Sequence, residues 1–100
     1  MEKSEVIDKG SNQYLEWTEE LHEDEEYITY TEWGYSNNIN LGPGIDDDIE
    51  HIIKIKKDQL QNLTFEKLSF VLKNLRTKMK LNSFRSFLDN KNIKYDYQVW

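Results

Sequence analysis

From residue 13 onward the chain alternates between apolar and polar positions. Leu15, Trp17 and Leu21 fall in one phase, and Tyr14, Glu16, Thr18 and Glu20 in the other. A period of two with one apolar phase predicts a strand that buries one face and wets the other. Residues 26–33, EYITYTEW, are rich in aromatic and β-branched side chains, which suit a pleated surface, and the run stops at Gly34. His22, Glu23, Asp24 and Glu25 between the two runs predict a hairpin turn. The stretch 35–48, YSNNINLGPGIDDD, fits no regular element and predicts a long loop. After it, Ile53 and Ile55 alternate with Lys54 and Lys56, the pattern of a third strand.

The period then changes. Phe65, Leu68, Leu72, Leu75 and Met79 recur at spacings of three and four, so one side of a helix is apolar. Thr64 is placed to cap it, because its hydroxyl can accept from an unpaired N–H of the first turn. Lys67, Lys73, Arg76, Lys78 and Lys80 give the other side a basic character. A shorter helix begins near Asn82 or Ser83, turns Phe84, Phe87 and Leu88 inward, and ends at Asn90, Lys91 and Asn92. Ile93, Tyr95, Tyr97 and Val99 then alternate with polar residues in a last strand. The order β-β-β-α-α-β predicts an α+β domain: an antiparallel sheet of about four strands packed on two helices. Residues 13–100 form that single domain, and residues 1–12, with only Val6 and Ile7 as apolar anchors, form a loosely held N-terminal arm.

Charge adds what the hydropathy pattern leaves out. The net charge is -6. The first fifty residues hold ten Glu and five Asp against Lys3 and Lys9, whereas the last fifty hold nine Lys, Arg76 and Arg85 against four acids. Such a split means a charged partner, two faces of opposite sign, or one half neutralising the other across the fold. The acids concentrate in two places: six of the eight residues from Glu19 to Glu26, and Asp46, Asp47 and Asp48 in the loop. Crowded carboxylates repel one another, and a cationic partner offsets that repulsion.

Catalytic chemistry finds no constellation here. There is no cysteine, which excludes disulfides, thiol nucleophiles and thiolate metal sites. His22 and His51 have no partner at metal-ligand spacing, and Asp46, Asp48 and Glu50 lack the remaining oxygen ligands of a calcium loop. Gly42, Pro43 and Gly44 are too few for a phosphate cradle. No catalytic residue, metal site or cofactor is expected. No apolar run approaches the roughly 20 residues that span a bilayer, so a soluble, cytoplasmic protein with no membrane association is expected. What stands out is Trp33 and Tyr35 interleaved with acid runs, the makeup of a protein interface with aromatic anchors and steering charges.

Three stretches of the C-terminal half carry a resemblance: IKIKKDQL at 53–60, SFRSFLDNKNIKYDY at 83–97, and the closing Trp100. Together with the small, acidic, cysteine-free α+β pattern, they make the chain similar to bacterial toxin-immunity proteins, including those of contact-dependent growth inhibition. The resemblance covers less than half of the chain and implies a non-enzymatic inhibitor of a basic toxin, a nuclease above all. On the residues themselves, the expected contact surface is Glu19, Glu20, Glu23, Asp24, Glu25 and Glu26 on the hairpin, Asp46, Asp47 and Asp48 on the loop, and Trp33 and Tyr35 as anchors. Two alternatives stay open. One is a phage-encoded inhibitor of a host nuclease that mimics nucleic acid. The other is a nucleic-acid-associated module using Lys67, Lys73, Arg76, Lys78, Lys80 and Arg85, a less favoured reading because the overall acidity repels phosphates.

Overall fold

The alternating segments become strands in a computed structural model, which describes residues 2–11, 15–36, 49–75 and 80–99. Strands β1 (Lys3–Ser11), β2 (Leu15–Glu23), β3 (Tyr27–Ser36) and β4 (Ile49–Lys56) are followed by helices α1 (Phe65–Asn74) and α2 (Leu81–Asn90) and by strand β5 (Asp96–Val99). The sheet is antiparallel throughout, in the order β1-β2-β3-β4-β5. This is the expected α+β class with one strand more than the alternation predicts. The fifth is β1, in the stretch that reads as an arm.

The β2–β3 hairpin turns at Asp24. Its side chain accepts from the backbone N–H groups of Glu26 and Tyr27 at 2.8 and 2.7 Å, while its own N–H donates to the Tyr27 carbonyl. Those bonds to the ionised form hold the Asp24 carboxyl below the usual carboxylate range. Register then assigns the faces. Leu21, Ile28, Tyr30, Ile53 and Ile55 point inward and are fully buried. With them pack Phe65, Leu68 and Leu72 of α1 and Leu81, Phe84 and Leu88 of α2, so both helices cover the same face of the sheet. The Tyr30 and Phe84 rings meet edge to face at 5.2 Å.

Caps set the helix limits. Thr64 accepts from the Lys67 N–H at 3.2 Å and starts α1 as expected. The helix stops at Asn74, because Leu75 is already extended (φ -75°, ψ 125°). Arg76, Lys78 and Met79, expected on the same helix, lie outside the described residues. At the end of α2, Asn92 takes a left-handed conformation (φ 57°) that lets its N–H reach the Asp89 carbonyl and the Ile93 N–H reach Leu88. Asn is one of the few residues with a side chain that enters that region readily, and buried Ile93 supplies the apolar contact that goes with this ending.

β1 pairs with β2 along its length, and polar contacts tie it to α1. Lys3 pairs with Glu66 at 2.8 Å, and Glu5 accepts from Ser69 at 2.8 Å and pairs with Lys73. Between Val6, opposite Glu20, and Asp8, opposite Glu19, the register slips, so Ile7 is the extra residue of a β-bulge and packs against the core. Among the described residues no helix is long and apolar enough to cross a membrane.

Candidate functional site

Because both helices lie on one face, the other face of the sheet is left to solvent. Its rows follow from the register. Lys9, Thr18, Trp33 and Glu50 form one row, Val6, Glu20, Thr31, Ile52 and Gln98 the next, and Ser4, His22, Thr29, Lys54 and Asp96 a third. Two open depressions adjoin on this face and share Glu20, Thr31 and Glu50. Thr18 and half-buried Trp33 line one of them. At the other end Lys54 sits 4.5 Å over the Tyr27 ring, and His22 Nδ1 lies 3.0 Å from the Ser4 hydroxyl. The end around Trp33 thus sets Glu20 and Glu50 beside an aromatic ring, with Lys9 on the β1 edge of the same row, and the end around Tyr27 carries Lys54. Among the described residues, no three His, Asp or Glu side chains converge as metal ligands would.

The structure separates the residues expected to form one contact surface. Glu20 and Trp33 stand together on the uncovered face. Glu25 and Glu26 are exposed at the hairpin tip. From Glu26 to Trp33 is seven residues of strand, about 23 Å at ~3.3 Å per residue, so tip and anchor belong to different ends of the sheet. Glu23, half-buried on the inner side, pairs with Lys57 at 3.5 Å, and Asp24 is engaged in the turn. Tyr35 pairs with Glu16 in the β2–β3 ladder, but its side chain lies outside the described part of the structure. Asp46, Asp47 and Asp48 also lie outside the described residues.

Glu19 is the correction. It points into the protein at 0% exposure, where it accepts from the Lys80 backbone N–H at 3.1 Å and from Lys80 Nζ at 3.3 Å. No partner reaches it without unfolding. It has a neighbour that the sequence reading passed over: Glu32, directly opposite on β3 and 2% exposed, which accepts from the Leu81 N–H and from the Tyr30 hydroxyl, both at 2.9 Å. Both acids lie in the inward phase of their strands, with Trp17 and Leu21 on β2 and with Ile28 and Tyr30 on β3. That phase was the signal available in the sequence.

The basic helix side is dispersed as well. Lys73 is bound to Glu5, and Lys80 is buried between Glu19 and Asp8. The Lys67 ammonium donates to the Asn62 carbonyl. Arg85 stacks 4.4 Å from the Tyr97 ring and donates to the Tyr95 hydroxyl, a contact that raises its already high pKa further. Among the described residues, four first-half acids, Glu5, Asp8, Glu19 and Glu23, thus pair with lysines of the second half, and of these pairs only Glu19–Lys80 is buried on both sides. Glu20, Glu25, Glu26 and Glu50 form no ion pair with any described residue. Comparison with protein-family models, with curated proteins and with solved structures finds no match to this chain.

Proposed function

We propose that the chain is a non-enzymatic inhibitor of the immunity-protein kind, which binds a basic protein, a nuclease toxin by its charge, through the uncovered face of the sheet. One observation carries this reading: Glu20 and Glu50 flank Trp33 on the side that neither helix covers, and neither acid is neutralised from within the described chain. A half-buried tryptophan flanked by two carboxylates supplies what a hot spot needs. The ring fills a pocket on the partner, and the acids select lysine and arginine around it. The five-strand face measures about 500 Å² in plane, from strands ~4.8 Å apart and ~3.3 Å per residue. That is of the same order as the ~800 Å² each partner buries in a standard interface. Glu25 and Glu26 at the tip act at longer range, steering the encounter without entering the contact. The site of action is the cytoplasm, where a nuclease toxin meets its substrate.

The test is co-expression of the chain with the protein encoded beside it in the genome, scored by growth protection and by association kinetics of the purified pair. The double reversal Glu20→Lys with Glu50→Lys lowers the association rate, and Trp33→Ala speeds dissociation, both with an unchanged circular-dichroism spectrum. If protection and kinetics survive all three changes, the face is misassigned. If the chain neither protects nor binds, and instead shifts nucleic acid in a salt-sensitive way, the nucleic-acid module replaces the inhibitor.

A further inference from the structure

The buried carboxylates Glu19 and Glu32 are not needed by the binding face. They lie on the opposite side of the sheet, and their contacts run to the start of α2. Glu19 accepts from the N–H of Lys80, and Glu32 from the N–H of Leu81, so two consecutive amides at the helix N-terminus are held by two facing acids. Four unpaired amides and a partial positive charge at a helix start favour such acceptors. The charges do not balance, however. Two buried carboxylates share one buried ammonium, that of Lys80, and Lys80 also lies 3.6 Å from Asp8.

Among the described residues the surroundings supply no second cation. Across β4, the residue opposite Glu32 is His51, whose Nδ1 is 2.7 Å from the Tyr97 hydroxyl and whose pKa burial lowers, which keeps the ring neutral at neutral pH. On β3 itself Tyr30 donates its hydroxyl proton to Glu32, and burial pushes its pKa far up. On β1, Asp8 is 40% exposed, and its Oδ2 accepts from Trp17 Nε1 at 3.3 Å beside Lys80. A lone buried anion is among the costliest things a protein interior can hold, and the usual escape is protonation.

We propose that Glu19 and Glu32 form a one-proton latch on α2. With the proton on Glu32 the buried trio of Glu19, Glu32 and Lys80 is neutral and the start of the helix stays docked, and loss of that proton leaves an excess buried anion and loosens the helix start. The environment of Glu32 acts in the same direction, since burial first, and the Glu19 charge as well, raises its pKa above the ordinary carboxylate value. The sign follows by linkage. A group whose folded pKa is raised contributes stability below its unfolded value of about 4.3, and that contribution is lost as the pH climbs through the raised value. The latch therefore weakens on the alkaline side.

Two measurements on the full chain test it. The first follows the Glu32 carboxyl carbon by NMR titration in the native protein and in Glu19→Gln. The resonance titrates above the ordinary carboxylate range in the native chain, and moves down when the facing charge is removed. The second compares urea midpoints and the exchange protection of the Leu81 amide between about pH 5 and about pH 8. The native chain loses protection relative to Glu32→Gln as the pH rises, and that difference cancels the His51 contribution, which both proteins share. An ordinary Glu32 titration, one indifferent to Glu19→Gln, or equal pH slopes in native chain and Glu32→Gln would each overturn the latch. Should Glu32→Gln fail to fold, the titration of the native chain decides alone.

Discussion

Gly10 shows how one position can hold a strand pair together. It faces Trp17 across the β1–β2 ladder, and a Cβ built on it would lie 2.6 Å from the indole ring. The ring covers the bare backbone, and its Nε1 donates to Asp8 at 3.3 Å. Gly10→Ala must push Trp17 aside and strain that contact, at a cost of about 1–3 kcal/mol. A urea melt of the variant is the measurement, and an unchanged midpoint would mean that the ring is not held where it lies. Nothing in a sequence marks this glycine as a tryptophan's partner, since the register that joins them depends on the bulge at Ile7. The inward placement of Glu19 and Glu32 is hidden in the sequence for a related reason. A carboxylate in the inward phase looks like a break in the pattern, and what makes it tolerable is an amide 61 residues away for Glu19 and 49 for Glu32.

At the scale of elements, local signals served where local chemistry decides. Thr64 starts α1, Asp24 makes the hairpin turn, Asn92 closes α2, and Ile53 and Ile55 face inward. They failed for β1, whose charged residues find their partners only when α1 arrives with Glu66, Ser69 and Lys73. The same element guards the sheet margin. Inward-pointing charges and a bulge are the usual means of discouraging edge-to-edge association, and β1 carries Lys3, Glu5, Asp8 and the slip at Ile7. Within α1 the two faces differ sharply in worth. Leu72 is fully buried, and Leu72→Ala should cost about 2–5 kcal/mol, whereas Phe70 is 68% exposed and Phe70→Ala should stay within about 0.5 kcal/mol. Denaturation of the two variants side by side checks the assignment of the helix face.

For the whole molecule, the contrast between an acidic first half and a basic second half becomes a set of contacts across the fold, from Glu5 to Lys73, Glu23 to Lys57 and Glu19 to Lys80. The sequence stated the totals, and only the packing decides which acids remain for a partner. Acid sensitivity follows from the engaged ones. Bonds from Lys73 and Ser69 hold the Glu5 carboxyl low, the Tyr27 and Glu26 amides do so for Asp24, and Lys3 does so for Glu66. Groups with lowered values contribute stability above the ordinary carboxylate pKa and lose it as the pH falls through the lowered one. The unfolding midpoint should therefore drop below about pH 4, and Glu5→Gln should flatten that limb. A midpoint unaffected by acid would contradict these pairings.

Trp17 and Trp33 occupy opposite sides of the β2–β3 pair, one half-buried against Gly10 and Asp8 of β1 and one on the uncovered face. Of the chain's three tryptophans, these two thus have different duties. In a Trp100→Phe background, quenching of Trp33 by an aqueous solute follows ligand capture at equilibrium, while the emission of Trp17 follows loss of the packed interior. Each can be silenced by its own Phe replacement, so recognition and denaturation can be recorded separately on an otherwise label-free molecule.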